Sequence, residues 1–189
     1  MFGLMTEVGP FSLDKDLKPQ PRNTTWLSDT NALLAIDNPP GTGYSFVADG
    51  GQYCEDFACY GRSLYSFMQQ FYQAFPEAME YELFITGESY AGHYISAFGA
   101  HIDTMNIAKV PGTVHVPLRG VSIGDGWIDP INQMPMYPDL LQSFGLANDQ
   151  QRKFWQSSCD SAVKAIAEER YLDAFETWDL LLNGDLHNG

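Results

Sequence analysis

Residues 84–94 read FITGESYAGHY. A short apolar run ends at Gly87, Ser89 follows between small residues, and a helical pattern begins at Tyr90. A strand that turns sharply into a helix can hold one side chain above the edge of a sheet. The residues two before and two after must then be small, because the turn is tight and strained. Gly87 and Ala91 occupy those places, and Gly92 follows. Ser89 is therefore a candidate nucleophile. The Tyr90 N–H, at the start of the helix, is a candidate oxyanion donor. A serine that merely caps a helix would satisfy the same short pattern.

The surroundings decide between the two readings. Leu83 to Thr86 is a strand pattern, and 90–105 carries Ala91, Tyr94, Ile95, Phe98, Ile102 and Met105 on one helical stripe. Gly120 to Ile123 reads as a further strand, closed by Gly124-Asp125-Gly126. Upstream, Ala32 to Ile36 is a continuous apolar run, as in a strand buried on both faces. It stops at the turn-formers of 37–43. Residues 55–75 form a helix with Phe57, Leu64, Phe67, Met68, Phe71 and Phe75 on its apolar side, ended by Pro76. Residues 10–26, rich in Pro, Lys, Asp and Asn, read as loop. Strands alternating with helices predict an α/β fold with a parallel sheet. After Pro130 the character changes. Residues 134–143 are rich in Met and Pro, and 148–182 are almost wholly helical in pattern. The expected organisation is a core over 1–130 and a helical insertion over 131–189.

A serine nucleophile needs a base. The four histidines are His93, His101, His115 and His187. The first two lie on the elbow's own helix and point back along it. His115 sits in a Pro/Val-rich segment and His187 in the terminal tail. All four read as packing or surface residues. In an α/β-hydrolase the acid and the base follow the nucleophile in the chain.

The 189 residues suit one domain or part of a larger one, and 44% hydrophobic residues suffice for a core. The formal net charge of −14 disfavours nucleic acid and anionic membranes as partners. No run approaches the ~18 apolar residues of a membrane span, and the N-terminus lacks the pattern of a signal peptide. Cys54, Cys59 and Cys159 show no zinc spacing, and an odd number leaves at least one thiol unpaired within the chain. Asn23-Thr24-Thr25 is a glycosylation acceptor pattern.

GESYAGHY at 87–94, IDNPPGTGYSF at 36–46 and GVSIGDGWIDP at 120–130 together resemble the serine carboxypeptidase family. The stretch ERYLDAFETWDLLLNGDL at 169–186 is similar to its vitellogenic-like branch. The resemblance implies a partial α/β-hydrolase fold with the start of a helical cap, and removal of single residues from peptide C-termini. Carried onto this chain, it makes Ser89 the nucleophile and Tyr90 one oxyanion donor. Glu88 and Glu7 become the acidic pair that recognises the substrate's terminal carboxylate. Two carboxyls facing a third retain protons at acidic pH and donate hydrogen bonds to it. Gly87, on the same elbow, joins the substrate-binding residues, and Tyr44 is a wall of the substrate site. Asp125 is structural, since the family's catalytic Asp follows the cap.

The resemblance also implies a Gly-rich oxyanion segment before Met1 and a catalytic Asp and His after Gly189. The expectation is thus a central piece of the family fold, with little turnover alone and self-association through uncovered sheet edges. The implied partners are peptide or protein C-termini, with no cofactor and no metal. The implied location is lysosomal or secreted, with a glycan on Asn23. Two other products are compatible with the motifs: a non-catalytic peptide-binding protein, and an acyltransferase using the same serine.

Overall fold

The computed structural model describes residues 2–184. Its elements in order are a π-helical turn at Gly3–Glu7, strands β1 (Phe11–Leu13) and β2 (Pro19–Pro21), helix α1 (Phe57–Ala74) and a 3-10 turn at Pro76–Glu80. Strand β3 (Leu83–Glu88), helix α2 (Ala91–Ala108) and strand β4 (Leu118–Gly124) follow. The C-terminal part is helical: α3 (Pro130–Gln133), a 3-10 turn at Met134–Met136, α4 (Tyr137–Ser143), α5 (Asp149–Ala167) and α6 (Tyr171–Asn183).

Strands β3 and β4 pair with each other. The Leu83 amide donates to Pro117 O and the Ser89 amide to Gly124 O, so partners advance together along both strands. The pair is therefore parallel, and α2 is its crossover. This β3–α2–β4 unit is the α/β element expected from the sequence. The strand expected at 32–36 does not form. Those residues have no ladder partner among the described residues, and an apolar run without a neighbour's N–H and C=O groups has nothing to pair with. The loop expected over 10–26 instead contains a hairpin with Phe11 opposite Pro21 and Leu13 opposite Pro19. Its turn is organised by Asp14, whose carboxylate accepts the amides of Asp16 and Lys18 at 2.9 Å each.

The residues divide into two compact units, one made of the chain up to Leu83 with Ala97–Leu118, the other of Phe84–Ser96 with the residues from Arg119 on. In the first unit, α1 is started by Asp56, whose side chain accepts the Cys59 amide at 2.6 Å. Phe75 caps its other end before Pro76. Gly61, Leu64, Tyr65, Met68 and Tyr72 form its buried stripe. Leu64 and Met68 of the expected apolar side lie in this stripe, while its phenylalanines do not. Phe57, Phe67 and Phe75 are exposed, and Phe67, Phe71 and Phe75 stack along the flank at 6.1 and 5.1 Å. The helix is turned by Gly61. A Cβ there would stand 2.7 Å from Ala97 O, so the backbone of α2 approaches closely at this point. Tyr65 then meets His101 edge-on at 5.2 Å.

Two side-chain amides fasten the chain leading into β4. Gln69 of α1 accepts from Val114 N at 2.7 Å and donates to Val114 O at 2.9 Å. Asn106 of α2 does the same for Val116, at 3.0 and 2.8 Å. Each side chain imitates a neighbouring strand. Cys54 and Cys59 form a disulfide, and Cys159 is free and buried.

In the second unit, α5 opens with a capping box in which Asn148 accepts the amides of Gln150 and Gln151, and the Gln151 side chain accepts the Asn148 amide. Glu169, at φ +60°, breaks the helical run between α5 and α6. Arg170 bridges Glu168 and Asp173 across that break. The core of this unit is Met134, Cys159, Ala162 and Trp178, with Trp127, Tyr137 and Trp155 against it.

Candidate active site

Ser89 is the single residue between β3 and the Tyr90 turn that opens α2, and its φ is +76°. A residue with a Cβ held in that region stores about 1–3 kcal/mol of strain, which persists only where neighbours impose it. The neighbours are identifiable. The Ser89 amide donates to Gly124 O at 3.0 Å. Its carbonyl accepts the amides of Gly92 at 3.0 Å and Trp127 at 2.9 Å. The backbone is thus fastened on both sides while the side chain stays exposed.

The small residues around it are required by distance. A Cβ on Gly87 would stand 2.7 Å from Ala91 Cβ and 2.8 Å from Ile95 Cδ1. A Cβ on Gly92 would stand 2.7 Å from Trp127 O and 2.8 Å from Ile128 Cγ1. Both are closer than real Cβ contacts, so the elbow closes only with glycine at 87 and 92. The spacing rule read from the sequence accordingly has a steric cause here.

Glu88, the last residue of β3, is exposed next to Ser89. Tyr90 is half exposed, with its ring edge-on to His93 at 4.9 Å and to Tyr94 at 5.2 Å. Its carbonyl accepts the His93 amide at 3.1 Å, so the first turn of α2 winds directly from the nucleophile position. The partial positive charge of a helix N-terminus falls there, where a developing oxyanion would gain from it. Asp125 follows Gly124 at φ +37°.

Among the described residues no side chain hydrogen-bonds Ser89 Oγ. His93 is 8% exposed, and burial lowers its pKa from the ordinary 6.5. His101 is shifted the same way by burial, then by the charge of Arg62. His115 is exposed, and His187 lies outside the described residues. No group of three or more potential metal ligands is present among the described residues.

Gly87, Glu88, Ser89 and Tyr90 thus stand together on one elbow. The other candidates lie on the first unit. Glu7 ends the π-helical turn and is exposed. Tyr44 is 82% exposed, on a loop closed by its own hydrogen bonds. There its amide donates to Asp37 at 2.8 Å and the Ser45 hydroxyl to Asp37 O at 2.6 Å. Asn23 is exposed after β2, and the Thr25 hydroxyl of its acceptor pattern donates to Val8 O at 2.9 Å. Sequence reasoning missed Gly124 and Trp127 as supports of the elbow. Their signal was available: a Gly-Asp-Gly turn ends the strand that pairs beside the nucleophile strand.

The family description serine carboxypeptidase, peptidase S10, matches residues 1–181. The chain belongs to the serine carboxypeptidase family. It is 38% identical over 186 residues to a probable serine carboxypeptidase, CPVL, of Homo sapiens, which covers 98% of this chain and 38% of that protein. A venom serine carboxypeptidase of Apis mellifera is 37% identical, over 98% of this chain and 39% of that one. A vitellogenic carboxypeptidase of Aedes aegypti is 34% identical, over 90% and 34%. Among solved structures, a prohormone-processing carboxypeptidase of Saccharomyces cerevisiae matches with a TM-score of 0.79 at 27% identity, over 97% of this chain and 41% of that one. The chain therefore spans about two fifths of the length of these relatives. The partial α/β-hydrolase fold expected from the motifs is the fold of this likeness.

Proposed function

We propose that this protein is a serine carboxypeptidase acting through an acyl-enzyme on Ser89. The observation that carries the reading is the conformation of Ser89: left-handed backbone, exposed side chain, and a helix N-terminus beginning at the next residue, in a chain of this family. Ser89 Oγ attacks the carbonyl before the last residue of a peptide while a general base takes its hydroxyl proton and passes it to the departing amine. The carbonyl oxygen takes up the charge facing the Tyr90 N–H, the C-terminal residue leaves as an amine that takes a proton, and water cleaves the ester. Glu88 and Glu7 recognise the substrate's terminal carboxylate, and Tyr44 walls the subsite. Residues 131–189 belong to the helical cap insertion of the family.

Peptide C-termini are the substrates in this reading, and the location is lysosomal or secreted, with a glycan on Asn23. No described helix is long and apolar enough to cross a membrane. The test is labelling by a fluorophosphonate probe together with release of C-terminal residues from peptides at acidic and neutral pH. Labelling lost in Ser89→Ala, and peptide binding and its pH dependence altered in Glu88→Gln, are expected. A folded protein that neither labels nor releases amino acids, yet binds peptides through their C-termini, would instead establish a peptide-binding role. Transfer to an alcohol acceptor without hydrolysis would establish an acyltransferase.

A further inference from the structure

We infer that Trp178 and Gln133 are positioning residues for Ser89, acting through the backbone of Trp127. Two of the three hydrogen bonds that fasten Ser89 come from 124–127: Gly124 O accepts its amide, and the Trp127 N–H donates to its carbonyl at 2.9 Å. Residues 126–129 have no helix or strand of their own, so regular pairing does not hold the Trp127 amide in place. Something else must, because a left-handed serine relaxes unless its surroundings impose the conformation.

Two devices hold it. The Gln133 side chain brackets Trp127. It donates to Gly126 O at 2.7 Å and accepts the amides of Ile128 and Asp129 at 2.8 Å each. The backbone is thereby fixed on both sides of residue 127. The second device is the indole itself, which stacks on Trp178 of α6 at 5.1 Å between ring centroids with 14° between planes. Trp178 is only 8% exposed. Tyr137 meets it edge-on at 4.8 Å and Trp155 at 6.5 Å, so the stacking surface is rigid. Gly92, whose amide supplies the third bond, packs against the Trp127 backbone so tightly that no side chain fits between them. The core of the helical segment therefore ends on the nucleophile's carbonyl. The helical segment thus orients the elbow.

The meaning for catalysis rests on Ser89 being the nucleophile, while the anchoring does not. Amide exchange and kinetics on the full chain separate the two. In Trp178→Leu and Gln133→Met, the Ser89 and Trp127 amides should exchange about tenfold faster, since local opening governs exchange at such sites. The Leu83 amide, bonded to Pro117 O at the far end of β3, should be unchanged. Trp178→Phe, which keeps a stacking ring, should restore protection. In peptide hydrolysis kcat should fall about tenfold with KM unchanged, the signature of a misplaced reacting group rather than lost binding.

Unchanged exchange at Ser89 and Trp127 in both folded variants would overturn the anchor. So would equal acceleration at Leu83, which would mean general loosening. Faster exchange with wild-type kcat would overturn the positioning role. Faster local exchange in a protein whose wild type neither labels nor turns over would uphold the anchor and remove the nucleophile reading instead.

Discussion

A Cβ placed on Gly87 would stand 2.7 Å from the Cβ of Ala91, one turn away across the elbow. Ile95 Cδ1, at 2.8 Å, can rotate aside, but a Cβ cannot. Gly87→Ala should therefore lower stability by about 1–3 kcal/mol, the usual cost of overpacking. Urea unfolding measures it. Adding Ala91→Gly to the same chain should recover part of the loss, because it removes the clashing carbon. A Gly87→Ala protein as stable as wild type would show that the elbow can spread.

The Cys54–Cys59 disulfide closes a loop with a sequence separation of only 5 around Asp56, the N-cap of α1. A loop that short should contribute about 2 kcal/mol by restricting the unfolded chain. Thermal unfolding of a Cys54→Ser, Cys59→Ser double variant should show a lowered Tm, with faster amide exchange confined to the first turn of α1. An unchanged Tm would mean that the Asp56 cap suffices.

Acid should weaken the fold through His93 and His101. Both have pKa values below the ordinary 6.5, His93 through burial and His101 through burial and then Arg62. On acidification the unfolded chain then binds protons first. Their contribution is complete above about pH 6.5 and is lost as pH falls from there toward the folded values. Unfolding free energies between pH 7.5 and pH 5 should fall less steeply in His93→Gln than in wild type. Parallel curves would show that the ring is protonated equally in both states.

Cys159 is fully buried, and its thiol is pushed up to about 11 by burial, then by the charge of Asp160. Thiolate is the reactive form. A disulfide-exchange reagent at pH 8 should therefore leave Cys159 unmodified in the folded protein and react fully in urea. Rapid stoichiometric reaction without denaturant would contradict its place in the core beside Met134 and Trp178.

Much of the elbow was legible because its requirements are local. A strand pattern, a glycine two residues before the serine and a small residue two after are adjacent in the chain. The crossover helix and both of its strands were legible for the same reason, as was the helical character of 148–182. The buried face of α1 was less so. Phenylalanines mark an apolar stripe, but Tyr65 and Tyr72 are buried because Gly61 turns that side toward α2. The hairpin at 11–21 was hidden in a polar, proline-rich stretch whose turn depends on one aspartate side chain.

The amino-acid sequence by itself determined the family, the nucleophile candidate and the strand–helix–strand order around the elbow, because each is carried by short local motifs. Only the tertiary structure decided that 32–36 forms no strand, that Gln69 and Asn106 stand in for one beside 114–116, and that Trp127 links Ser89 to Trp178. A strand exists only when another segment supplies the matching hydrogen bonds. A stack between residues 127 and 178 exists only when the chain between them folds back. Neither condition is written in local periodicity, since both are properties of distant segments meeting.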